Sequence, residues 1–115
     1  MANPNPDIRD LMQILLDRHS ALLAELDTVT DPQLGDAILT EAQEVLHRIN
    51  LTQNLLFIDL KPKLADAVSA VADADKQLTK DLKDIDDAAK FITKLTGFLG
   101  YVDKAIDIAK KVALL

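Results

Sequence analysis

From Leu64 to Ala113 the apolar residues recur at steps of three and four with almost no interruption. Leu64, Val68 and Val71 begin the series. Leu78, Leu82, Ile85, Ala89 and Ile92 carry it on. Leu95, Leu99, Val102, Ile106, Ala109 and Ala113 complete it. Such spacing keeps one stripe of an α-helix apolar, and no β-strand produces it. The phase shifts at Ile92–Leu95–Leu99, and Asp75 is the one charge on the seam. Two arrangements satisfy the pattern. One is a single helix of about fifty residues, some 75 Å long. The other, which we favour, is two helices with a break in Asp73–Asp87, where aspartates are available as caps.

The earlier chain has the same character. Asn5-Pro6 and Asp31-Pro32 each pair a capping side chain with a proline suited to the first helical position. The first helix is expected at about Asp7–Asp27, with Ile8, Leu11, Leu15, Leu22 and Leu26 inward and Arg9, Asp17, Arg18 and Glu25 on its polar face. Thr28, Val29 and Thr30 end it. The second is expected at Pro32–Leu60, stopping where Pro62 forces Lys61 out of the helical region. Within it, Ile49–Leu60 shows two apolar seams. Ile49, Leu56 and Leu60 continue Leu34, Ile38, Ala42 and Val45, while Leu51, Leu55 and Ile58 form another. A helix apolar on several sides is one around which others pack.

The expected fold is therefore all-α: an antiparallel bundle of four helices, or three with one very long, coiled-coil-like C-terminal helix. Residues 1–115 read as one domain with a flexible N-terminus at 1–5. Only three Gly and four Pro are present, too few for the turns of a β-rich fold. Aromatic residues make up 3% and Trp is absent, so the core must be aliphatic.

Composition narrows the chemistry. Without Cys there is no disulfide and no thiolate metal site. The N-terminus lacks the basic-then-apolar pattern of a signal peptide, and no apolar run approaches the ~20 residues of a membrane span, which suits a cytoplasmic protein. The net charge of −6 argues against nucleic acid as a partner. The charge is unevenly spread. Residues 1–89 hold 8 Lys/Arg against 17 Asp/Glu, and residues 90–115 hold 5 Lys against 2 Asp. A basic, amphipathic last helix on an acidic body suits an acidic partner, the body itself, or an anionic membrane surface met peripherally.

Catalytic and metal motifs are weak. Glu44-Val-Leu-His47 matches half of a di-iron carboxylate motif, but the only other His, His19, has no Glu three residues before it. Both side chains lie off the apolar stripe, as a solvated face requires. His19 falls between Met12, Leu15 and Leu22, the position of a buried polar residue or, less simply, a pH-sensitive one. The aspartates of 73–87 lack the Gly and Glu of a calcium loop. Asn50-Leu51-Thr52 is a glycosylation sequon by pattern only. No catalytic residue, metal ligand or cofactor is expected.

The interaction signal is stronger. Leu51, Leu55 and Ile58 on the second helix, with Gly97, Tyr101, Ile108 and Leu115 on the last, form seams beyond those one core requires. Lys90, Lys104 and Lys111 make a basic face beside the second set, their stems able to cover its rim. The functional expectation is a non-enzymatic helical interaction protein, self-associating or binding a partner helix through coiled-coil-like seams. Its alternatives are a membrane-associating effector or toxin component inserting Phe91, Phe98 and Tyr101, and a metal-binding bundle.

Overall fold

Three helices start at a capping side chain, and the helix that starts at Pro62 has no side-chain cap. In the computed structural model, which describes residues 3–114, α1 spans Pro6–Leu26, α2 Pro32–Gln53, α3 Pro62–Leu82 and α4 Ala88–Ala113. Proline opens the first three. The Asn5 side chain accepts from the backbone N–H of Asp7 at 2.9 Å and of Ile8 at 3.2 Å. Asp31 accepts from Gln33 at 3.0 Å, and Asp87 from Ala89 at 2.7 Å and Lys90 at 3.3 Å. Each cap satisfies N–H groups that a helix cannot pair internally, and is worth about 1 kcal/mol.

The four helices form a bundle and no strand is present among the described residues. α1 packs on α2 and on α3, and α4 packs on α3 and on α2. Successive helices are antiparallel, but the laterally adjacent pairs α1/α3 and α2/α4 run parallel. Asp7 and Ala65, near the starts of α1 and α3, line one groove, and Glu25 and Leu82, near their ends, line another. Asp31 and Asp87, which cap α2 and α4, line a groove at one end of the bundle, and Arg48 meets Asp103 farther along. The α2–α3 connection therefore crosses the bundle end diagonally. The molecule is a rod of 48 × 21 × 18 Å.

The core is aliphatic, as the composition requires: Ile8, Leu11, Leu15 and Leu22 from α1, Ile38, Val45 and Ile49 from α2, Leu64, Val71 and Leu78 from α3, and Leu95, Val102 and Ile106 from α4, with Phe91 and Phe98 among them. Truncating one such leucine to alanine costs about 2–5 kcal/mol.

The structure corrects the sequence at the end of α2, which stops at Gln53 rather than Leu60. Thr52 turns its hydroxyl back to the Ile49 carbonyl at 2.7 Å, and Asn54 closes the helix. The backbone beyond finds partners elsewhere. The Asn5 N–H donates to the Leu56 carbonyl at 2.6 Å, and its side-chain amide to the Ile58 and Asp59 carbonyls at 3.2 and 3.1 Å. Asn5 thus caps α1 with its oxygen and ties the 54–61 loop with its nitrogens. Leu55, only 6% exposed, folds over the end of the core, while Phe57 and Leu60 turn outward. The stretch expected at the centre of the bundle closes its end instead.

The last fifty residues are two helices, and the break lies at residues 83–87, inside the expected interval. It falls late enough to leave Asp75 in the middle of α3, not in a solvated turn.

Candidate interaction site

Three polar arrangements cross the helix interfaces. The first is built on Arg18, which is 7% exposed although the sequence sets it on a polar face. Its Nε donates to Asp75 Oδ1 at 2.9 Å. Its Nη2 donates to the Asp75 backbone carbonyl at 3.3 Å and to Thr79 Oγ1 at 2.7 Å. The lone charge on the α3 seam is the ion-pair partner of an arginine three helical turns into α1. That seam charge was the available signal for the pair. Nearby, burial raises the Glu25 carboxyl above its ordinary pKa against the opposing pull of Arg18.

The second arrangement joins α2 to α4. Arg48 makes a bidentate contact with Asp103, Nε to Oδ1 at 2.7 Å and Nη2 to Oδ2 at 3.0 Å, and its Nη1 reaches Glu44 Oε2 at 3.0 Å. The Asp103 hydrogen bonds hold the guanidinium charge more firmly, against the cost of burial. Beside it, buried Glu41 is raised above its ordinary pKa, first by desolvation and then by Glu44, with Arg48 opposing. Glu44 is therefore an ion-pair partner of Arg48, while His47 is exposed. Among the described residues no three His, Asp or Glu side chains gather as a metal site, and no buried side-chain nitrogen or oxygen lacks a hydrogen-bond partner.

The third lies in the outer groove between α3 and α4. Ala70, Ala74 and Gly97 leave an open space of about 580 Å³, closed at one end by Tyr101 and crossed by the Lys94–Asp81 pair at 3.6 Å.

The expected seam residues are dispersed by the fold. Leu55 is buried, and Leu51, Ile58 and Ile108 pack partly buried against the chain's own core. Gly97 and Tyr101 line the α3/α4 groove, with Tyr101 51% exposed. Leu115 lies outside the described residues. Lys90, Lys104 and Lys111 are exposed, whereas Phe91 and Phe98 face the core, so inserting them into a bilayer would require the bundle to open. His19 is half-buried on the flank of α1 that faces α2. No helix among the described residues is long and apolar enough to cross a membrane.

A different apolar face is the more continuous one. Leu16 and Leu23 of α1 and Leu39 and Leu46 of α2 are 43%, 41%, 46% and 44% exposed. Asp17, Arg18 and Glu25 mark the flank of α1 that borders α3, and Glu44 and Arg48 the flank of α2 that borders α4. The four leucines lie on the other flanks, on either side of the outer α1–α2 groove. Each pair is seven residues apart, so the side chains stack two turns above one another. The seven-residue spacing was readable from the sequence. Their exposure was not, because Leu16 and Leu23 adjoin core residues on the helical wheel.

By fold and surface this is a four-helix bundle whose α1–α2 hairpin carries an outer leucine ladder. No family model, no curated protein and no solved structure matches the chain.

Proposed function

We propose that the chain is a non-enzymatic helical interaction protein that associates with copies of itself through coiled-coil-like packing. The observation that carries this reading is the outer α1–α2 face, where four leucines at seven-residue spacing stand more than two-fifths exposed. Scattered exposed leucines are ordinary on a protein surface, but a ladder of them along two adjacent helices is the pattern that coiled-coil partners bury. The polar clusters are accounted for by packing: Arg18–Asp75 ties α1 to α3 beside an open groove of about 380 Å³, and Arg48–Asp103 ties α2 to α4.

Sedimentation velocity over a broad concentration range tests it. The expected result is a species of twice the chain mass or larger, and a Leu16→Glu/Leu39→Glu variant that sediments as a monomer with unchanged helical circular dichroism. A wild-type chain that stays monomeric at the highest concentrations would overturn the proposal. Leu39 is a better probe than Ile108, because Ile108 supports the chain's own core.

A further inference from the structure

We infer that two copies pack α1–α2 face to α1–α2 face, turned end for end, about a two-fold axis that crosses both helices near the level of Arg18. This rests on the self-association proposed above and specifies its geometry.

The α1–α2 turn sets Leu26 beside Pro32, and at the other end Asn5 bonds to Leu56. Leu39 then lies close to the level of Ser20, and Leu46 close to that of Gln13. Along the groove the leucines follow in the order Leu46, Leu16, Leu39, Leu23, about one turn apart. Their midpoint is near the level of Arg18. A second copy turned about an axis at that level sets its Leu16 between Leu16 and Leu23 of the first and its Leu23 about one turn beyond the first copy's Leu16, so the ladders interlock.

Charge picks out the same axis. Arg9, Leu16 and Leu23 follow one another at seven-residue steps, and Asp27 comes one turn after Leu23. Arg9 and Asp27 therefore bracket the ladder on one flank of α1, about 27 Å apart. Both are exposed and neither forms an ion pair among the described residues. Of the polar side chains bordering the leucines, Ser20, Gln43 and Asn50 are uncharged, and Asp36, one turn before Leu39, is the one carboxylate on their row. The midpoint of Arg9 and Asp27 is residue 18. End-for-end pairing brings Arg9 of each copy to Asp27 of the other, twice per dimer, as a two-fold interface requires. A same-direction pairing would set Arg9 near Asn50 and leave both charges without partners.

The end-for-end arrangement also brings Leu46 of one copy over Gly35 of the other, where α2 has no side chain; like Gly97 and Gly100, Gly35 has no atom of its own chain within 4 Å of where a Cβ would stand.

Charge exchange and cross-linking test the geometry. Arg9→Glu and Asp27→Lys should each raise the dimer dissociation constant about three- to ten-fold at low salt, and the double variant should return it towards wild type. The chain has no cysteine, so single thiols report cleanly. With a short bifunctional thiol reagent, Ser20→Cys should cross-link to itself. Arg9→Cys should not, but a mixture of Arg9→Cys and Asp27→Cys should. A wild-type monomer would sink self-association altogether. A wild-type dimer in which Arg9→Cys links to itself, Ser20→Cys does not, or the charge exchange fails to rescue would overturn this geometry and leave self-association standing.

Discussion

Arg18 and Asp75 meet across the α1/α3 interface through two guanidinium nitrogens, Nε at 2.9 Å and Nη2 at 2.8 Å from the same carboxylate oxygen. Thr79 accepts from the same Nη2 and donates to the Asp75 carbonyl, which closes the cluster. Two parallel helices have no short loop to set their register, and this contact is placed to do so. Removing one partner of such a pair leaves a charge in a poorly solvated position. Asp75→Ala should therefore destabilise the bundle by about 2 kcal/mol, less than a fully buried pair because Asp75 is partly exposed. Urea denaturation measures it. A change below about 0.5 kcal/mol would show that water already solvates Arg18.

Asn5 and Asp31 both cap helices, but only Asn5 also ties a loop. Asn5→Ala should cost about 2 kcal/mol and Asp31→Ala about 1, since the first also frees the Ile58 and Asp59 carbonyls. Parallel denaturation curves make the comparison. Equal losses would mean that the loop tie contributes nothing.

Glu41 sets a pH dependence. Its folded pKa is above the unfolded value, so between the two the folded state binds more protons and stability falls as pH rises through that window. Above that window the carboxylate is charged and carries its full desolvation cost. Glu41→Gln should raise the melting temperature at pH 7 and flatten the stability profile just above the ordinary glutamate pKa. A variant less stable than wild type at pH 7 would assign Glu41 a favourable charge interaction instead.

Gly100 sits within α4 with open space where a Cβ would be. Gly100→Ala should stabilise the monomer by about 0.5–1 kcal/mol, the usual gain for alanine over glycine in a helix. Thermal denaturation checks it, and a loss of stability would reveal a close approach that the fold does not otherwise require.

The charge on the α3 seam was visible in the chain, but its partner was not. Arg18 adjoins Asp17 and His19, and helical periodicity alone puts its guanidinium at the edge of the polar face. Long side chains at such edges point either to solvent or across an interface, and only the neighbouring helix decides which. The leucine ladder has the same ambiguity. Leu15 and Leu16 are adjacent in sequence and both apolar, yet one is enclosed and the other is left on the outer face.

Local sequence determined the helices themselves. Apolar steps of three and four, prolines at helix starts and the side chains of Asn5, Asp31 and Asp87 act within a few residues, so they can be read without knowing the fold. Tertiary structure decided where α2 ends, because Asn5, from the N-terminal end of the chain, supplies donors to the Leu56, Ile58 and Asp59 carbonyls of the loop that follows Gln53. It also decided which seams are spent inside the protomer. Leu51, Leu55, Ile58 and Ile108 turn to the chain's own core, and Leu16, Leu23, Leu39 and Leu46 are left facing outward. Helical periodicity specifies the directions in which side chains point, but only the placement of neighbouring helices determines which of those directions are covered.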